Sequence, residues 1–150
     1  MRKFFTVFFL SLCLTACASY RPSSDTDYEK AEKIAINNDK EVVQFHGIGG
    51  WHSDTSQVIV GRVVSRGNLV ITDQAIRFMQ WDEDNNSYDV VFAKKLSDIK
   101  SIKSYQFLGK WFVIKTDESR HDIFAFSLDS EKTMAAMNYI KQAIQKNANK

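Results

Sequence analysis

The stretch Gly67-Asn68-Leu69-Val70-Ile71-Thr72-Asp73-Gln74-Ala75-Ile76-Arg77-Phe78 constrains this chain more than any other, because two short apolar runs pivot on a Thr-Asp-Gln corner. Strand side chains alternate sides with a period of two, so Leu69 and Ile71 share one face of the first run, and Ile76 and Phe78 one face of the second. Folded as a β-hairpin, the segment turns all four toward one core. The same reading predicts strands over Glu41–Ile48, with Val43 and Phe45 on one side, and over Val58–Val64. After the polar turn Asp82–Ser87, Tyr88, Val90 and Phe92 alternate as one face of another strand. A further hairpin joins Trp111–Thr116 to Asp122–Leu128 across Asp117–Arg120.

Three segments break this alternation. Leu96, Ile99 and Ile102 stand three apart, which predicts a corner in the sheet. Ser130–Lys146 reads as a helix with Met134, Met137, Ile140 and Ile144 on one stripe and Glu131 in its first turn, suiting the macrodipole. Thr26-Asp27-Tyr28-Glu29 has capping-box spacing, so a short helix should run to about Asn37 with Tyr28, Ala31, Ile34 and Ala35 as its apolar stripe. Gly47, Gly49 and Gly50 predict either a bend or bulge in the preceding strand, or a place where a ligand approaches backbone.

Ahead of all this, Met1-Arg2-Lys3 precedes an apolar run from Phe4 to Leu14. Eleven helical residues rise only about 16 Å, roughly half the hydrocarbon core of a bilayer, so residues 1–16 read as a signal peptide rather than a span. Its end, Leu14-Thr15-Ala16-Cys17, resembles the lipobox of bacterial lipoproteins. That resemblance implies peptidase recognition of Leu14, Thr15 and Ala16, and acylation of Cys17 as the mature N-terminus. Each buried methylene contributes about 0.8 kcal/mol, which makes a three-chain anchor effectively permanent. In a Gram-negative envelope, Ala18 after the cysteine implies the outer membrane, with the domain facing the periplasm. Residues 17–27, holding Pro22 and several serines, form a tether, and residues 28–150 a single domain.

Loss of the signal changes the charge reading. Of the 20 basic residues, Arg2 and Lys3 leave with it, while all 18 acidic residues remain, so the mature chain balances at 18 against 18. Net charge then gives no support to nucleic-acid binding. Cys13 leaves with the signal and Cys17 is acylated, which excludes a disulfide and a thiolate zinc site.

The strand order with its closing helix resembles the pleckstrin-homology superfold, especially its GRAM-like and bacterial PH-like branch. Gly67–Phe78 resembles that family's Gly-x-Leu-x-Leu-Thr-x-x-x-Leu-x-Phe hairpin, and Leu96–Ile102 its Asp-Ile-x-x-Ile corner. The third stretch is the last strand pair leading into the helix from Ser130. The resemblance implies a mainly β fold: a small antiparallel barrel or sandwich of six to seven strands, closed at one end by the C-terminal helix. The short N-terminal helix lies outside the family pattern. It also implies a module without catalysis that binds lipid head groups, peptides or proteins. Phosphoinositide-binding members cluster Lys and Arg in the first hairpin loop, whereas Trp51–Gln57 contains neither.

No motif argues for an enzyme or a cofactor. There is no Gly-x-Ser-x-Gly elbow, Gly47–Gly50 is not followed by the Lys-Ser or Lys-Thr of a phosphate loop, and no carboxylate pair has acid–base spacing. His46, His52, Asp54 and His121 offer zinc-compatible groups, but no spacing puts two ligands on one element. Asp82-x-Asp84-x-Asn86 starts like a calcium loop, yet Ser87 stands where glycine is needed. The candidate ligand-facing residues are Trp51 and His52, together with Lys94, Lys95, Lys100 and Lys103. Each has a structural alternative: Trp51 can cap the core, and the lysines can solvate an edge strand. The expectation is a membrane-anchored, non-catalytic binding or scaffolding module with an envelope protein partner. Phospholipid head-group binding is the alternative, with an envelope hydrolase or metal-dependent enzyme behind it.

Overall fold

The computed structural model describes residues 25–36, 40–54, 65–106, 109–116, 121–127 and 129–148. The signal peptide, lipobox and most of the tether, the expected strand Val58–Val64 and the Asp117–Arg120 turn lie outside the described residues. The chain runs α1 (Asp25–Ala35), β1 (Val43–Asp54), β2 (Ser65–Thr72), β3 (Ala75–Asp82) and β4 (Ser87–Lys95). A 3-10 turn (Leu96–Asp98) leads to β5 (Ser101–Gln106), β6 (Lys110–Lys115), β7 (His121–Phe126) and α2 (Ser130–Ala148). Among the described residues the seven strands form one antiparallel sheet in the order β4-β3-β2-β1-β7-β6-β5. The anticipated hairpin is β2–β3, with Leu69 opposite Phe78 and Ile71 opposite Ile76.

The glycine run does not end a strand. β1 continues through it, pairing with β2 over Val43–Trp51 and with β7 over Gly49–Asp54. Within the overlap of the two pairings Gly49 has no room for a side chain: a Cβ there would stand 2.8 Å from the Ala125 carbonyl oxygen and 3.0 Å from Leu69 Cβ. Gly67 is tighter still, its missing Cβ only 2.1 Å from the Met79 carbonyl oxygen.

Both faces of the sheet carry a helix, the outer one only over β1–β4. Its inner face carries Leu69, Ile71, Ile76, Phe78, Phe112, Ile114 and Phe124, all fully buried, closed by Ala136 and Ile140 of α2. Phe112 stacks on Phe124 at 5.5 Å, and Phe92 meets Phe124 edge-on at 5.2 Å. The outer face over β1–β4 is covered by α1, whose Ala31 and Ala35 pack with Val43, Val70, Met79, Trp81 and Tyr88. Small residues let the helix approach closely, and Glu32 ties it to His46 of β1.

Four expectations are corrected. Val43 and Phe45 face opposite layers, because a bulge lies between them: Val43 pairs with Thr72 and Phe45 with Ile71. Tyr88 and Phe92 are likewise split by a bulge opposite Phe78 and Met79, so Tyr88 packs under α1 while Phe92 joins the inner core. Val90 is left exposed. α1 starts at Asp25, before the expected cap Thr26, and Ile34 is 40% exposed, leaving the buried stripe narrower than predicted. On α2 the deepest contacts come from Thr133, Ala136 and Ile140, and Met134 is only half-buried.

Among the described residues the sheet is also open rather than closed. β4 and β5 are its two edges, because the 3-10 turn between them carries the chain round a corner instead of laying the strands side by side. Leu96 and Ile99 are buried there, the Leu96 amide bonds the Gln74 carbonyl, and α2 packs across the corner.

Candidate functional site

The open corner creates a cleft of about 710 Å³ between the β2–β3 turn, the end of β4, the 3-10 turn and the end of α2. Its charged lining is Glu41, Asp73, Arg77, Lys94, Lys95 and Asp98, with Asn147 reaching it from α2.

Arg77 stands at its floor. Ile76 and Phe78 point into the core, so Arg77 takes the outer side of β3, and only 3% of it is exposed. A buried guanidinium needs a partner. It finds one in Glu41, whose two oxygens lie 2.6 Å from Nη1 and 2.9 Å from Nη2. The Thr72 hydroxyl donates to Glu41 Oε2 at 3.0 Å and accepts the amides of Gln74 and Ala75, so one side chain ties the ion pair to the hairpin corner. Asp73 accepts the Val42 amide at 3.0 Å, pinning the start of β1 over the same turn. Burial, and then the charge of Asp73, hold the Tyr139 hydroxyl of α2 above its ordinary pKa.

Of the residues singled out by sequence, Lys94 and Lys95 line this cleft, the first half-buried and the second exposed. Lys100 and Lys103 are exposed on and beside edge strand β5. Trp51 points inward, 5.8 Å from the Phe78 ring and 5.6 Å from that of Phe92, and its indole N–H donates to buried Asp122 at 3.2 Å. His52, its neighbour, takes the opposite side of β1, paired with Ile123. The structure therefore separates Trp51 from His52, and both from the cleft. His46 lies under α1, and His121 pairs with Asp54 at the far end of β1. Cys17, with Leu14, Thr15 and Ala16, is outside the described residues.

Glu41, Arg77 and Asp98 were not apparent as a group. The one hint was an arginine inside the apolar run of β3, and nothing in the sequence points from there to Glu41.

No family model matches the sequence, and no characterised protein matches it at the sequence level. Solved structures do match. The Slm1-PH domain in complex with phosphoserine superposes with a TM-score of 0.52 at 13% identity, covering 69% of this chain and 96% of that one. The fold is PH-like. A structure of the Vav1 exchange factor, containing PH and C1 domains, agrees with a TM-score of 0.51 at 16% identity over 80% of this chain and 33% of that one. In this PH-like domain the corner and α2 provide the cleft, and α1 adds a cover on the outer face of the sheet.

Proposed function

We propose that the chain is a non-catalytic binding module, held at the periplasmic side of an outer membrane by acylation of Cys17, whose cleft receives a polar segment of an envelope protein. The observation that carries the choice of ligand is the Arg77–Glu41 pair. The deepest cation of the cleft is already neutralised by a carboxylate at 2.6 Å, and the described lining balances three cations against three anions. A phosphate would have to compete with Glu41 for the guanidinium, whereas a peptide carrying both donors and acceptors finds counterparts in Lys94, Lys95, Asp73 and Asp98. The anchor rests on the sequence alone. It confines the domain near the bilayer and raises its effective concentration toward partners in the same envelope.

A second reading, phospholipid head-group binding, is favoured by one observation: the Slm1-PH domain, whose fold this chain shares, was solved with phosphoserine.

A photo-crosslinker at Ser97, exposed in the cleft, tests the first reading in intact cells. We expect one discrete protein adduct, lost on Lys94→Glu and not formed from the same probe at Asp84 in the distant β3–β4 turn. Lipid adducts at Ser97 would favour the second reading. Labelling with a radioactive fatty acid tests the anchor, because a Cys17→Ser chain that still takes up label contradicts it.

A further inference from the structure

The outer face of the sheet is treated differently at its two ends. Over β1–β4 it is covered by α1, but β5 and β6 turn a different surface outward. Ile102 and Ser104 pair with the buried core residues Ile114 and Phe112, so the opposite side carries Ser101, Lys103 and Tyr105 facing Lys115, Val113 and Trp111. Lys103 is exposed, and Tyr105, Trp111, Val113 and Lys115 are half-buried, whereas Ile123 on adjoining β7 is buried. The stretch between Asp98 and Asp117 holds no acidic residue, and of its four lysines Lys103 and Lys115 stand on this side, whereas Lys110, opposite Gln106, alternates to the side of Phe112.

We infer that this hairpin face docks on an anionic phospholipid surface, with Tyr105 and Trp111 at head-group level and Lys103 and Lys115 against the charged heads. This rests on the anchored-module reading and deepens it by naming the side that lies on the membrane. Tyrosine and tryptophan suit a bilayer interface because their rings are apolar at one end and polar at the other. Lysines near an anionic surface each contribute attraction that falls off within a Debye length. Seven residues lie between Cys17 and Asp25 at the start of α1, so the anchor stands at most about 29 Å from that helix when the segment is fully extended. The surface is distinct from the cleft, whose cations are matched by carboxylates.

The full chain reconstituted in vesicles of phosphatidylethanolamine and phosphatidylglycerol with brominated acyl chains tests the inference through tryptophan quenching. We expect quenching that disappears in Trp111→Phe, since Trp51 lies in the core and Trp81 packs beside α1. The docked-to-undocked ratio should fall about fivefold for each of Lys103→Gln and Lys115→Gln, and quenching should be weak in phosphatidylcholine alone. The lysine variants keep all three tryptophans and alter only exposed or half-exposed positions, so they carry the test if Trp111→Phe folds poorly. Vesicle-bound protein with unquenched Trp111, or quenching indifferent to both lysine changes, would overturn the docked face and leave the anchored module standing. Protein remaining in the supernatant would overturn both.

Discussion

Arg77 and Glu41, 36 residues apart in the chain, meet as a two-point ion pair, and neither is more than 8% exposed. The pair lines the cleft on the outer side of β3, and Thr72 ties it to the β2–β3 corner. Removing one partner of a buried pair leaves an uncompensated charge, which costs about 3–5 kcal/mol. Arg77→Met and Glu41→Leu should each lower stability by that order in urea unfolding, while the double variant should recover most of the loss. Additive losses would show that the two side chains act separately.

Gly67 has no room for a methyl group, with the Met79 carbonyl oxygen 2.1 Å and Phe78 Cζ 2.9 Å from where a Cβ would stand. Neither backbone nor a fully buried ring can move cheaply, so Gly67→Ala should cost about 1–3 kcal/mol or more. Thermal melting reads the loss directly, and Ser65→Ala at the start of the same strand should leave the transition almost unmoved.

Trp51 and Asp122 are joined across β1 and β7 by an indole N–H to carboxylate bond inside the core. Trp51→Phe keeps most of the ring packing but takes this donor from a buried carboxylate, a change worth about 1–3 kcal/mol. The His52→Ala variant, on the opposite face, leaves this bond in place and should cost less than Trp51→Phe in the same unfolding experiment. Equal effects would place the two residues in one environment, against the geometry.

Asp82 closes the β3–β4 turn by accepting the Asn85 side-chain amide at 2.6 Å and the backbone amides of Asp84 and Asn85. The Asn85 side chain first, and these amides after it, hold its carboxyl below the ordinary 3.8. A lowered folded value means that the turn's contribution is complete above the unfolded pKa and is lost as pH falls through the folded one. Side-chain carboxyl chemical shifts should therefore show Asp82 titrating below pH 3.8, and Asn85→Ala should move its midpoint back up. A midpoint unchanged by that substitution would contradict the assigned cause.

How far the sequence carried depends on the range of the interaction. The β2–β3 hairpin, the corner at Leu96–Asp98 and the amphipathic α2 were all legible, because each is set by alternation or three-residue spacing within a dozen residues. The two bulges were not. A single extra residue in β1 or β4 swaps every later side chain to the other face, so Val43 parted from Phe45 and Tyr88 from Phe92 without any local mark in composition. In the cleft, Lys94 and Lys95 could be picked out as exposed charge, but Arg77 looked like one polar interruption of an apolar strand.

By itself, then, the order of residues determined the kind of elements, their sequence along the chain and the lipobox-like start, since these depend on neighbours. Only the tertiary structure decided that the sheet stays open at the corner, that α1 covers the outer face, and that Glu41 meets Arg77 over a cleft. Those outcomes depend on which distant surfaces exclude water together, and burial on that scale is a property of the packed whole rather than of any one segment.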